Sequence, residues 1–503
     1  MKQSLGEQCN QLLQEVKFGV IDGMYDLDLE EYFIDRDYFE GLFEKNNFFV
    51  IGRKGTGKSA LYNWIHTTSS KKGNICINIL FNEFPFQRLL ELKDNSFAQP
   101  YQYQTICKNM ILGQFAYSIV TDENHLDNDE YKQLVYYINN FIGRGVDDCF
   151  RKTINKVREK SGSLNLEKIS LAKTNCVEET YGFDDTDLNQ INSVLQRIIV
   201  HYLKIYPCST RFIIQIDGID ENYNQVTAFE GKINDYMQLI ISLMKSVYGI
   251  NQAFYKDKIN IAKCVVYLRS DIFNSIHEFD PESARWEQHT MTLSWVITAR
   301  NKWLYNDLRK LINTRITCSI AYMNGYDGFS ELINYRAVCL NNKSGLLERH
   351  LFEYIVNRTF HRPRDIIQFM IKLQEASKQE GELNYTSFSL AEKNYSLWFL
   401  SEITNEISPK IKNIKALFSF LRTIGSKPIN QSTFKKKYEK FQAQIGLPVE
   451  ELLEYLYSIA IISNINDKGK WFSVIRNEKS TLNPDIKIIL HPGFWKGLYT
   501  STF

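Results

Sequence analysis

The sequence predicts an α/β fold: a parallel five-stranded sheet with a helical insertion, followed by an all-α lid and a winged-helix domain. Three observations predict it. A continuous apolar run, Asn47-Phe48-Phe49-Val50-Ile51, leads into a glycine-rich segment and then into helical sequence. Further short apolar runs recur at 75–80, 212–216, 262–268 and, more weakly, 290–293. Past residue 300 the apolar positions take a helical period, and after Pro409 three short helical patterns lead into an alternating hairpin. Runs that are apolar throughout, rather than alternating, suit strands buried on both faces, as parallel strands between helices are.

Each element follows in order. Residues 1–46 are acidic and aromatic, with Tyr25-Asp26-Leu27-Asp28 and Tyr32-Phe33-Ile34-Asp35, and read as short helices packing on the next domain. That domain, the core, spans 47–300. The stretch from Ser59 to the acidic strand end at Asp217 is far longer than a minimal sheet domain needs. The excess is assigned to a mostly helical insertion over about 85–190, whose middle, 159–167, reads as flexible. Helical periods over 302–316, 346–357, 365–377 and 389–406 form a lid at 301–408. Residues 409–503 carry helices over 414–423, 434–443 and 449–460, then a hairpin over 461–475 turning at Asn466-Asp467-Lys468-Gly469. Three helices followed by a hairpin describe a winged helix.

Composition narrows the function classes. The chain has 503 residues, 44% of them hydrophobic, enough for two to four domains with real cores. The formal charge of +2, from 60 basic and 58 acidic side chains, neither demands nor excludes a nucleic-acid partner. Nine cysteines occur, with no CxxC and no zinc-like Cys/His spacing, as expected for reduced thiols in a cytoplasmic protein. No apolar signal core opens the sequence, and no run approaches the roughly 20 apolar residues that cross a bilayer. A soluble, cytoplasmic protein without membrane contact is the expectation.

The chemistry concentrates at strand ends. Gly52-Arg53-Lys54-Gly55-Thr56-Gly57-Lys58-Ser59-Ala60 lies between a strand and a helix. Glycines let successive backbone N–H groups face phosphate oxygens without a Cβ in the way. Lys58 supplies a mobile charge for the β- and γ-phosphates, Ser59 offers a hydroxyl to Mg²⁺, and the helix beginning there adds its dipole. This is a P-loop for ATP·Mg²⁺, in the strand–loop–helix context that separates it from a chance match. The run Phe212-Ile-Ile-Gln-Ile-Asp217-Gly218-Ile219-Asp220-Glu221 puts Asp217 at a buried strand tip, where a carboxylate holds Mg²⁺. Glycine follows Asp217, so Asp220 or Glu221 must orient the attacking water; the competing reading is that both cap the next helix. Arg269, at the end of the 262–268 run, is placed to sense the γ-phosphate. In His361-Arg362-Pro363-Arg364-Asp365, Arg364 is preferred over Arg362 for coupling nucleotide state to the lid. Arg285, just before the last strand, suits a finger offered to a neighbouring subunit, against a plain surface arginine.

Together GRKGTGKSA, DGIDE, the strand-end Arg269 and the Arg-Pro-Arg-Asp helix start resemble AAA+-like and STAND-like ATPases of the ASCE division. The DGIDE element is similar to the DGLDE form of NACHT ATPases. With the winged helix ending in Ile489-Leu-His-Pro-Gly-Phe494, the layout resembles bacterial P-loop ATPases associated with anti-phage defence or stress operons. The resemblance covers roughly 20–500. It implies strand order 5-1-4-3-2, a helical lid and nucleotide-controlled assembly of a homo-oligomer; since no second catalytic constellation stands out, an effector or sensor protein partner is expected. Lack of a glutamate directly after Asp217 departs from ordinary AAA+ proteins and favours a slow switch. DNA is the alternative partner. Lys435-Lys436-Lys437, Lys468, Lys470 and, in the insertion, Arg151-Lys152, Lys156, Arg158 and Lys160 favour it. Glu450, Glu451 and Glu454 on the third helix oppose it, since carboxylates repel phosphates.

Overall fold

The computed structural model describes residues 3–81, 102–143, 188–219, 233–295, 306–323, 327–339, 348–408, 410–411, 413–477 and 479–499. The chain divides into two compact units. One comprises Asp35–Lys54 and Lys58–Leu293; the other comprises Met1–Ile34, Gly55–Gly57 and Ser294–Phe503.

The first unit is built on five strands, β1 (Phe49–Gly52), β2 (Ile75–Leu80), β3 (Phe212–Asp217), β4 (Ala262–Arg269) and β5 (Thr290–Thr292). They form one parallel sheet in the order β2-β3-β4-β1-β5. This is the order that the resemblance implies, and with a glycine loop following β1 it is the sheet of a P-loop NTPase fold. The central strands β1, β3 and β4 are buried along their whole length, which is why their sequences show no alternation. The helix Gln102–Val120 buries apolar residues nearly all round, among them Ile106, Phe115 and Ile119, so it lies inside the unit rather than on its surface. Its buried Asn109 donates to Asn192 of the helix Leu188–Ile205 at 2.8 Å, so the polar group is satisfied. The described part of the expected insertion is helical: Gln102–Val120, Asp129–Tyr137 and a π-turn over Ile138–Ile142. Residues 82–101 and 144–187, with the expected flexible stretch and its basic side chains, lie outside the described residues.

The second unit centres on the helices Pro363–Glu380 and Tyr385–Ile407. Residues 5–34, expected to pack on the following domain, pack here instead. Gln374 Nε2 donates to the carbonyls of Leu13 and Val16 at 2.7 and 2.9 Å, and Arg315 Nε to Phe18 O at 3.0 Å. The cause is the apolar stripe Cys9, Leu13, Val16 and Phe18, which shares a core with Leu373 and Leu383. Only the helix Tyr38–Glu44 from this part of the chain belongs with the sheet.

Towards the C-terminus come the helices Ile414–Ile424, Gln431–Tyr438 and Val449–Ser458. They are followed by β6 (Ile462–Ile465), β7 (Trp471–Phe472) and β8 (Lys487–Leu490), an antiparallel sheet in the order β7-β6-β8. The hairpin turns where its sequence predicts. Gly469 takes φ +73° and its N–H meets Asn466 O at 2.9 Å, a left-handed position that favours glycine. The strand β8 is an addition to the expected hairpin; four residues ending at His491-Pro492 are too short a run to announce themselves. The helix expected over 434–443 begins earlier and stops at Tyr438, with a separate turn at Gln442–Ile445 closed by Gly446 at φ +82°.

Candidate functional site

The loop after β1 is shaped by its neighbours. Gly52 stands opposite Arg269 of β4, and Leu293 N–H meets Ile51 O at 2.8 Å, so the chain leaves the sheet between two paired strands. Gly55 and Gly57 take φ +80° and +96°, conformations that L side chains avoid. A Cβ at Gly57 would meet nothing within 4 Å, so glycine is required there by backbone conformation alone. At Gly55 a Cβ would sit 3.2 Å from that of Arg364, whose N–H also approaches Gly55 O at 3.4 Å. The indole of Trp295 donates to Thr56 O at 2.9 Å. Nothing in the residue pattern pointed to this tryptophan beyond its place just after β5.

Lys58 opens the helix Lys58–Lys71 and is 7% exposed. Its Nζ donates to Gly52 O at 3.1 Å and to Arg53 O at 3.4 Å, so the charge is held against the carbonyls of its own loop. Ser59 and Ala60 continue the first helical turn, and Arg53 and Lys54 are half-buried in the loop.

Asp217 is the last residue of β3 and is buried. Its carbonyl accepts from Phe81 N–H at 2.7 Å. Gly218, at φ +79°, turns the chain out of the sheet. That conformation disfavours the glutamate that ordinarily follows such an aspartate. Asp220 and Glu221, the two candidates for orienting water, lie outside the described residues.

Two residues before Asp217, on the same side of the strand, Gln215 is wholly buried. Its Nε2 donates to Tyr62 O on the helix after the loop at 3.1 Å and to Asn78 Oδ1 on β2 at 2.9 Å. Its Oε1 accepts from the Tyr267 hydroxyl on β4. Burial, with the nearby Cys76 and Asp217, pushes that phenol well above its ordinary pKa, so it stays a donor. A polar side chain in the middle of an apolar strand run was the available signal for this network.

At the tip of β4, Arg269 grips Asp271 with both Nε and Nη2, at 3.0 and 2.6 Å. The guanidinium is 10% exposed and the carboxylate 55%. Burial works to raise the Asp271 pKa, but Arg269, the Ile272 N–H and the charge of Lys58 outweigh it and hold the carboxyl below its usual value. The strand-end pair and the loop lysine therefore share one electrostatic neighbourhood. Arg285 is 67% exposed and reaches Glu282 at 3.8 Å, a contact worth at most about 1 kcal/mol.

The helix Pro363–Glu380 places proline in its first turn, where no N–H is needed. Arg362 precedes it and is 2% exposed. Its Nε lies 3.1 and 3.0 Å from the Asp365 oxygens, and its Nη1 3.1 Å from Glu406. Burial opposes this charge, yet two carboxylates hold the guanidinium protonated more firmly than in water. Arg364, on the helix itself, meets Glu402 at 3.3 Å and is 24% exposed.

Comparison with known proteins adds three findings. Residues 306–404 match the model of the FunZ-associated C-terminal helical domain. A relative 20% identical over 505 residues is the putative transposon gamma-delta 80.3 kDa protein of Escherichia coli (strain K12). The alignment covers 93% of this chain, and the chain spans 65% of that relative's length. Among solved structures, the Aeropyrum pernix ORC2 protein in ADPNP-ADP complexes is 12% identical. That alignment covers 91% of this chain and 87% of the other, and the TM-score of 0.28 is too low to support a structural argument. No helix among the described residues is long and apolar enough to cross a membrane.

Proposed function

We propose that this chain is a Mg²⁺-dependent ATPase that turns over slowly and acts as a nucleotide-controlled switch. The observation that carries the reading is the loop after β1, with glycines at φ +80° and +96° and Lys58 at the head of its helix. Backbone N–H groups of Gly52–Ala60 cradle the phosphates, and Lys58 exchanges its hold on Gly52 O for phosphate oxygen. Ser59 and Asp217 hold Mg²⁺, which when bound neutralises charge on the phosphates. Asp220 or Glu221 orients water. Arg269 and Arg364 read the γ-phosphate, and Arg285 serves a neighbouring copy in a homo-oligomer. Gly218 in the position after Asp217 supports slow turnover.

The switch has an N-terminal helical segment at 1–46, an ATPase core at 47–300, a lid at 301–408 and a winged helix at 409–503. It works in the bacterial cytoplasm, in an anti-phage defence module, ordering an oligomer that recruits an effector or sensor protein. The DNA-acting reading draws on the transposon name of the relative. It is weakened where the basic helix is already engaged within the chain. Lys435 is paired with Glu450 at 2.8 Å, and Lys437 donates to Thr423 O.

The test is ATP hydrolysis by the purified chain, with and without double-stranded DNA, against Lys58→Ala. Slow turnover that Lys58→Ala abolishes and DNA leaves unchanged is the expected result. DNA stimulation that fades steeply with salt moves the assignment to the DNA-acting reading. Hydrolysis that survives Lys58→Ala overturns the site. Phage plating on cells carrying the wild-type operon or Lys58→Ala tests the defence setting; equal plaque counts would remove it.

A further inference from the structure

A cavity of about 210 Å³ lies in the second unit. It is lined from three directions. Arg358 and His361 come from the turn before Pro363, Ser463 from β6, and His491 from the end of β8. Trp471 of β7 and Arg476 close its side.

Three features make this a built site. The first is a hydroxyl with nothing to do. Ser463 is 1% exposed and its Oγ makes no hydrogen bond among the described residues. Buried polar groups left unsatisfied are costly and uncommon, and this one faces the cavity. The second is charge. Arg476 is steadied by Asn357 Oδ1 at 2.9 Å and feels the charge of Glu353. Arg358 is paired with Glu392, but that carboxylate is shared with Lys496 at 2.8 Å. Among the described residues, Arg358, Arg476 and Lys496 therefore stand against the two carboxylates Glu392 and Glu353. His491 reports the resulting potential: burial, then the charges of His361, Arg476 and Arg358, push its imidazole well below the ordinary value. Neutral His491 accepts from Gly493 N–H at 3.1 Å through Nδ1. The third feature is the lining itself, which includes the indoles of Trp471 and Trp495.

An oxyanion needs hydroxyl and guanidinium donors, and a planar ring needs indole faces. A cavity of this size exceeds what a single benzene ring needs. We propose that the cavity walled by Trp471 and Trp495 binds a small phosphate monoester carrying a planar ring, with Arg476 and Ser463 on the phosphate. The assignment is independent of the P-loop. Its position gives it a use, since His361, held at φ +53°, lies three residues before Arg364, whose N–H approaches Gly55 O.

The experiment is calorimetric titration of the full-length chain carrying Lys58→Ala, so that the loop does not contribute. The probes are uridine 5′-monophosphate, ribose 5-phosphate and inorganic phosphate. One saturable site is expected, tightest for the mononucleotide. Arg476→Gln, at an exposed position where the fold should stay intact by circular dichroism, should weaken binding at least tenfold. Ser463→Ala should weaken binding several-fold while raising the melting temperature, because the lost hydroxyl had no partner. No saturable heat at millimolar concentration of any probe overturns the proposal and leaves solvent as the occupant. So does affinity unchanged in both variants. Equal affinity for mononucleotide and inorganic phosphate overturns the assignment of a ring to the tryptophan walls.

Discussion

Two arginine–carboxylate groups stand at element ends in the two units, and they are built for different work. Among the described residues, Arg269 at the tip of β4 holds the carboxylate of Asp271, which is more than half exposed. Arg362, before the helix Pro363–Glu380, holds two carboxylates inside the protein, with Asp365 at 0% and Glu406 at 11% exposure. A charge whose partner is in water can change partners at small cost, because solvent takes over the abandoned carboxylate. A charge enclosed by two desolvated carboxylates cannot leave without stranding them. The first arrangement suits an element that responds to a phosphate. The second suits an anchor that fixes where a neighbour points, and the neighbour is Arg364, with its looser partner Glu402.

Removing the anchor should have the largest effect. Arg362→Ala takes the guanidinium away from the buried Asp365 and Glu406, and should cost about 3–5 kcal/mol in denaturant unfolding. A loss below about 1 kcal/mol would erase the distinction between the two groups. Arg269→Ala should leave stability nearly unchanged while lowering ATP turnover about 100-fold; normal turnover with reduced stability would reverse its role. Arg364→Ala should reduce turnover by about tenfold, the scale of a coupling between sites. Arg285→Ala should shift unfolding by less than about 0.5 kcal/mol. Its turnover should fall only where copies associate, so loss at all protein concentrations would argue against a finger.

Acid sharpens the same contrast. Glu392 is buried; burial pushes its pKa up, but Arg358 and Lys496 outweigh it and hold the carboxyl below its usual value. A carboxyl depressed in the folded state contributes stability above the unfolded value of about 4.3, and that contribution drains away as pH falls through the folded value. Glu392→Gln should therefore flatten the acid limb of a stability–pH curve measured below about pH 5. An unchanged limb would mean the pair does not hold its charge.

Much of the sheet was legible because its physics is local. Mostly apolar runs at 75–80, 212–216 and 262–268 read as strands, buried in β3 and β4 and half-buried in β2, and the glycines at 55 and 57 declared a backbone with positive φ. Helix positions in 363–407 followed from their period. What the sequence could not show was partnership. Nothing in Arg362 or Arg364 says which one is enclosed, since that depends on Glu402 and Glu406 arriving from another helix. The packing of residues 5–34 was hidden for the same reason, because an amphipathic stripe names no partner. Gln215 looked like an interruption of a strand until Tyr62, Asn78 and Tyr267 surrounded it. Asp220 and Glu221 remain known by sequence position alone.

The sharp turn after β8 has a genetic consequence. A methyl group at Gly497 would come within 2.8 Å of Leu400 Cδ1 and 2.9 Å of the Ser396 backbone, and one at Gly493 would collide with the Arg358 carbonyl oxygen and come within 2.7 Å of the Phe399 ring. Overpacking of this kind costs about 1–3 kcal/mol, enough to matter in warm cells and little in cold ones. Alanine at either position is therefore a route to conditional alleles, with the protein present and working at low temperature and withdrawn on warming. Such alleles would let the moment at which a cell needs this protein be timed without touching its nucleotide loop.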